Sequence, residues 1–210
     1  MPQKNSIKTF APNQYYHIYN RGVAKQNIFG DDQDKNYLLS LFSRYLPNTL
    51  DIANPLYNHF EKNIEINAYC LMNNHFHFLF WLNEDPKAIP AFMKSVFTSY
   101  SMYFNRKYDR VGPLFQSRYK GSRISNNSYL VHISRYIHLN PMDKYREYKY
   151  SSYNSYIGEN TYAWLKPERV KNLFNENLYE DFVSSYFAFE KDTFNPDIAP
   201  VDNFAKKERP

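Results

Sequence analysis

The chain of 210 residues has a single cysteine, Cys70. That excludes an internal disulfide and any zinc site built from several cysteines. No apolar run reaches membrane-spanning length, so no transmembrane helix is expected. The opening MPQKNSIKTF has no apolar core of the kind that marks a secretory signal. Internal repeats and low-complexity tracts are also missing. These absences predict a cytoplasmic protein in a reducing compartment, without membrane contact. The length suits one domain with an appendage.

Hydrophobic residues make up 43% of the chain, enough for a core, and aromatic residues make up 19%, with 21 Tyr and 17 Phe. Tyrosine carries a ring that stacks and a hydroxyl that hydrogen-bonds. Such an excess suits a stacking surface for bases, and AT-rich coding would produce it equally well. The net charge is +5, and its distribution says more than its sum. Residues 87–150 hold 12 Lys and Arg against 3 Asp and Glu, while residues 151–210 hold 7 against 10. The basic block suggests a polyanionic partner. An ordinary solvated face is the other reading of charge alone.

Apolar periodicity and turn residues give an order of elements. QYYHIYNRG reads as a strand from Tyr15 to Arg21, closed by Gly22. DDQDKNYLLSLFSRYL has helical spacing and an acidic first turn. Pro47 to Pro55 is expected to be a loop. IEINAYCLM and HFHFLFW are two β-like runs around Asn73-Asn74, hence a hairpin. Residues 90–107 form a long helix, and Leu114 to Ile124 reads as a strand. Ser125 to Ser128 supplies helix-capping candidates, and YLVHISRYIHLN is a helix stopped by Pro141. The first six elements match a ferredoxin-like βαββαβ antiparallel sheet of the α+β class. A further helix and a helical extension follow. Residues 1–150 are expected to be the main domain. Residues 151–210 are expected to be an extension packed on it, with a loose tail from about Asp197.

Two stretches carry chemistry. Residues i and i+2 of a strand share a face, so His75 and His77 project together and can share one metal ion. Two histidines in polar contacts at a strand end would look the same. In SRYIHLNP, Tyr136 and Asn140 are spaced i, i+4 and share a helix face, with His132 one turn earlier. A tyrosine with an amide one turn away can set a hydroxyl beside a metal that the amide helps to bind. A core tyrosine and a helix-end asparagine would have the same spacing. His132 is a candidate proton acceptor or orienting group for the same site. His17 and His59 show no signal.

With both stretches in view, the chain resembles the single-tyrosine His-hydrophobe-His transposases, the IS200-like family. It is most similar to the branch of REP-associated tyrosine transposases. The stretches that carry the resemblance are YYHIYNRGVAKQNIF, AYCLMNNHFHFLF, YFNRKYDRVGPLFQSRYKGSRI and YLVHISRYIHLNPM. They run in the family's order over roughly residues 15–145, and YSSYNSYIG resembles the extended branch. MNNH departs from the commoner MPNH, which alters the turn before the histidines and not the histidines.

The resemblance implies that Tyr136 is the nucleophile and that His75, His77 and Asn140 are metal ligands. Asn140 stands where many relatives have Gln. It implies cleavage and rejoining of single-stranded or hairpin DNA through a 5′-phosphotyrosine ester, with Mg²⁺ or Mn²⁺ as cofactor. Arg118, Lys120, Arg123 and Arg135 are candidates for phosphate contacts, Gln116 for a base contact, and Arg21 for a further DNA contact. In a regular strand Arg118 and Lys120 share a face, with Phe115 and Tyr119 on the other. Many relatives work as homodimers that exchange tyrosine helices, and extended members can work as monomers; the sequence is compatible with either. The rivals are a hairpin-binding protein without activity and a rolling-circle replication nickase on the same scaffold. A two-histidine iron oxygenase lacks the carboxylate it needs near the pair.

Overall fold

The computed structural model describes residues 9–47, 56–158, 162–174 and 178–190. The expected loop at Pro47 to Pro55 lies almost wholly outside these residues, and the expected tail from Asp197 lies entirely outside them.

Four strands form one antiparallel sheet in the order β2-β3-β1-β4. They are β1 (Gln14–Arg21), β2 (Ile64–Met72), β3 (His75–Leu82) and β4 (Lys120–Ile124). Helix α1 (Asp32–Tyr45) follows β1, and α2 (Ala88–Lys107) follows β3. This is the ferredoxin-like βαββαβ arrangement. The Asn73-Asn74 turn closes the β2-β3 hairpin, and the first helix starts with a capping box. The Asp31 side chain accepts from Asp34 N, and the Asp34 carboxylate accepts from Asp31 N.

The sheet separates two cores. Tyr16, Ile18, Phe76, Phe78 and Phe80 face α1 and α2, where Leu38, Phe42, Phe92, Val96 and Tyr100 meet them. The alternate residues face the other way. There Leu79 and Ile124 pack under α3 (Asn127–His138), against its Leu130, Ile133 and Ile137.

The fourth strand is shorter than its sequence predicts. Its continuous ladder begins at Lys120, opposite Tyr19, whereas Leu114 to Tyr119 makes only an isolated bridge from Phe115 to Gly22. An unbroken ladder would bring Ser117 opposite Gly22, so two residues are looped out. The cause is local. The Asn20 amide donates to Ser117 O (3.0 Å), and Gln116 N donates to Arg21 O (3.0 Å), which replaces regular pairing. Arg118 and Lys120 therefore do not share a regular strand face.

Beyond residue 150 the chain continues the sheet edge and covers α3. Leu71 N donates to Tyr150 O (2.9 Å), Ser152 N to Tyr69 O (2.9 Å) and Lys166 N to Ile66 O (2.8 Å). Among the described residues three more helices follow, α4 (Tyr153–Tyr156), α5 (Glu168–Lys171) and α6 (Leu178–Glu190). Buried His138 ties three of these parts together, with Nδ1 2.6 Å from Tyr179 Oη and Nε2 2.7 Å from Ser152 Oγ.

That contact has a consequence for acid stability. Burial lowers the pKa of His138 from 6.5 to about 3, and burial does the same to His17. Between those values the unfolded chain binds the protons that the folded chain refuses. Stability is therefore full above pH 6.5 and falls as pH drops below it, by about 1.4 kcal/mol per pH unit for each such histidine. Urea midpoints at pH 7.5 and 5.5 should differ by this slope, and His138→Gln should flatten it by one proton's worth. A midpoint independent of pH would contradict the burial of both rings.

Candidate active site

The site lies on the sheet face under α3. Register in the β1-β3 pair sets Arg21 opposite His75, Tyr19 opposite His77 and His17 opposite Leu79. All six side chains share that face by strand alternation. The next strand adds Lys120 beside Tyr19 and Ser122 beside His17. Helix α3 is capped by Asn126, whose side chain accepts from Tyr129 N (2.7 Å). Its apolar side is anchored in the second core, which brings Tyr136 over the histidines. The Tyr136 ring stands edge-on to His77 at 5.2 Å between centroids and to His17 at 5.8 Å. Tyr19, Asn20, Arg21, His75, His77, Gln116, Lys120 and Tyr136 line one cleft of about 310 Å³.

Asn140 lies two residues past the end of α3, in the turn that leads into Pro141. Its Nδ2 donates to Tyr136 O (2.9 Å) and Ile137 O (3.3 Å), so it closes the helix end. Its Oδ1 points the other way, 3.1 Å from His75 Nε2. One end of the amide thus closes the helix, and the other faces His75.

The contacts of His75 test whether a cation fits. Nδ1 is 2.6 Å from Asn74 Oδ1, and Asn74 is oriented by donating Nδ2 to Lys25 O (3.3 Å). Burial lowers the pKa of His75, the Asn140 contact raises it, and nearby Arg21 lowers it, with burial the largest effect. A neutral ring has one N–H for two carbonyl oxygens. With that proton on the shorter contact, Nε2 and Asn140 Oδ1 are two lone pairs facing each other. A cation satisfies such a pair. Their separation is also close to the distance of about 3.0 Å between adjacent ligand atoms in an octahedral site with bonds of about 2.1 Å.

His77 is 5% exposed, and its Nδ1 is 2.9 Å from His17 Nε2. Its pKa is held well below 6.5, first by burial and then by His17 and His75. Both histidines of the pair thus stay neutral, as ligands must be. Among the described residues no three His, Cys, Asp or Glu side chains form a metal-binding group. The oxygen donor that faces His75 Nε2 is the Asn140 amide.

The other candidates divide. Arg21, Gln116 and Lys120 line the cleft, Gln116 through the looped-out segment. Arg118 is exposed on that segment and is not among the lining residues. Arg123 pairs with Tyr16, which alternation sets on the opposite face of the sheet from the histidines. Arg135 points to α6, with Nη1 3.2 Å from Phe182 O and the guanidinium 4.3 Å from the Phe182 ring. His132 accompanies it, its Nδ1 3.0 Å from Arg135 Nη2. The structure therefore places Arg135 and His132 in the packing of α6 against α3, where Arg135 meets Phe182 and His132 pairs with Arg135. His17, Tyr19, Asn20 and Asn74 had no sequence signal of their own. The spacing of His17, Tyr19 and Arg21 at i, i+2 and i+4 was the only hint, and it needed the β1-β3 pairing to acquire meaning.

A family model described as IS200-like transposase matches residues 11–140. That is more than half of the chain and includes every cleft residue, and the chain belongs to the IS200-like transposase family. A solved structure described as a REP-associated tyrosine transposase bound to a REP hairpin has the same fold. It is 14% identical, with a TM-score of 0.52 over 78% of this chain and 92% of that one. No curated protein matches. Among the described residues no helix is long and apolar enough to cross a membrane.

Proposed function

We propose that this protein cuts and rejoins single-stranded DNA beside hairpins, with Tyr136 as nucleophile and a divalent cation held by His75, His77 and Asn140. One observation carries the reading. The Tyr136 ring meets His77 edge-on in the same cleft that His75, Arg21 and Lys120 line. Family membership supports DNA as the substrate, and the hairpin on the solved neighbour supports the hairpin class and the REP-associated branch.

In the proposed step the phenolic oxygen of Tyr136 attacks the scissile phosphorus while the bond to the 3′ oxygen breaks. The products are a 5′-phosphotyrosine ester and a 3′-hydroxyl. The phenol proton passes to solvent, and the leaving oxygen takes one up. The ester keeps the bond energy, so a second 3′-hydroxyl can displace Tyr136 and join the strands. A bound Mg²⁺ or Mn²⁺ would polarise the phosphate and offset developing charge. Arg21 and Lys120 add fixed positive charge along the cleft, and Gln116 offers an amide to a base edge. The described residues from 151 to 190 serve as an extension that holds α3, and so Tyr136, against the sheet.

The direct test is incubation with a panel of hairpin oligonucleotides and Mn²⁺, followed by denaturing electrophoresis. A denaturant-resistant protein–DNA adduct is expected. Full cutting in EDTA would remove the metal from the scheme.

Two further outcomes follow from the cleft. Asn140→Ala should raise the Mn²⁺ concentration needed for half-maximal cleavage, with excess Mn²⁺ restoring part of the rate. A lowered melting temperature with an unshifted Mn²⁺ midpoint would leave Asn140 a helix cap only. DNA binding should weaken with salt, with a log–log slope of about −0.7 for each phosphate contacted on single strands. Arg21→Ala and Lys120→Ala should each reduce that slope by about one contact, and Arg123→Ala, on the other face, should leave it unchanged.

A further inference from the structure

We infer that His17 is a positioning residue for the metal site: its Nε2 accepts the Nδ1 proton of His77 and so leaves His77 Nε2 unprotonated toward the cleft. The inference rests on the proposed role of His77 as a ligand.

His17 is 1% exposed, in the middle of β1, with its ring nearly parallel to that of His77 at an interplanar angle of 16°. The Nε2 to Nδ1 distance of 2.9 Å is a full hydrogen bond. One proton occupies it, and its position decides the chemistry of His77. If His17 donated, His77 would carry its own proton on Nε2 and could not offer that nitrogen to a cation. If His77 donates, Nε2 is a lone pair in the cleft that His77 lines. The hydrogen bond to the far nitrogen of a ligating imidazole also fixes its ring plane and raises its basicity.

The place of His17 argues for such a role. Its Nδ1 is buried without a hydrogen-bond partner, and with Nε2 accepting from His77 that nitrogen carries the ring's own proton. A ring needed only for packing would be better served by phenylalanine, which fills the same space with no orphaned polar atom. The Tyr136 ring meets His17 and His77 together, at 82° and 84°, so the same pair that sets the ligand also seats the nucleophile. His17 touches no reacting atom. It acts through His77.

The test separates hydrogen bonding from packing. His17→Phe keeps a ring and removes the acceptor, while His17→Gln replaces the acceptor near the position of Nε2. Mn²⁺ affinity is read by electron paramagnetic resonance on the protein without DNA, beside a melting curve for each variant. His17→Phe is expected to bind Mn²⁺ about 10- to 100-fold more weakly without loss of melting temperature, and His17→Gln to recover part of that loss. Nitrogen-15 spectra of the wild type with Mg²⁺ are expected to show His77 protonated on Nδ1. Wild-type affinity in a folded His17→Phe would overturn the inference while leaving the metal site standing, and a His77 ring protonated on Nε2 in the Mg²⁺ spectra would overturn the inference and remove His77 from the ligands. Absence of any Mn²⁺ binding by the wild type would overturn both. Should His17→Phe prove unstable, the Mg²⁺ spectra of the wild type decide alone.

Discussion

Tyr136→Phe is expected to abolish the covalent protein–DNA adduct while leaving hairpin binding within about twofold of the wild type. The substitution removes one oxygen and keeps the ring. That ring makes the edge-on contacts with His77 and His17, and its helix is held from the other side by Leu130, Ile133 and Ile137 in the second core. Neither depends on the hydroxyl, so the cleft should keep its shape. Among the described residues two tyrosines line the cleft, Tyr136 on α3 and Tyr19 within the strand β1. The check is peptide mapping of the adduct. A nucleotide attached to Tyr19, or an adduct of normal yield in the variant, would transfer the nucleophile elsewhere.

Removing an imidazole of the pair is expected to have the second-largest effect. His75→Ala should lower the cleavage rate by about a thousandfold, because charge stabilisation by a bound cation is worth several kcal/mol and each 1.4 kcal/mol is about a factor of ten. Chelation of the wild type should reproduce the loss. His75 is the better choice for this test than His77. It is only half-buried, and its partners are Asn74 and Asn140, both of which also have backbone acceptors. His77→Ala would empty a buried position and strand His17 without its partner, mixing a stability loss with the loss of metal. Stopped cleavage with unchanged melting in His75→Ala, together with a lost Mn²⁺ signal, would fit the scheme. Retained cleavage with a normal metal requirement would not.

The amino-acid sequence by itself determined what depends on local pattern. Strand alternation set His75 and His77 on one face and the phenylalanines between and beyond them on the other, because a pleated strand has a period of two whatever it packs against. The spacing of apolar residues defined α1 and α2, and the Asn-Asn turn defined the hairpin. The resemblance carried by several stretches in order led to the family, and with it to Tyr136. Tertiary structure decided everything that depends on which strands pair and in what register. The i, i+4 spacing of Tyr136 and Asn140 implied one helix face, but α3 ends at His138, and Asn140 reaches His75 from the turn beyond it. Arg135 and His132 look like site residues at helical spacing, yet α6 claims both, since a cation beside an aromatic ring and a backbone carbonyl is satisfied within the protein. Lys120 enters the cleft by pairing beside Tyr19, and Gln116 enters it because two residues loop out between Phe115 and Lys120, a shift of register that no short-range pattern encodes. His17 lies sixty residues from His77 in the chain and 2.9 Å from it in the fold. Only the pairing of β1 with β3 brings them together, and hydrogen bonds between strands far apart in sequence leave no mark on either strand alone.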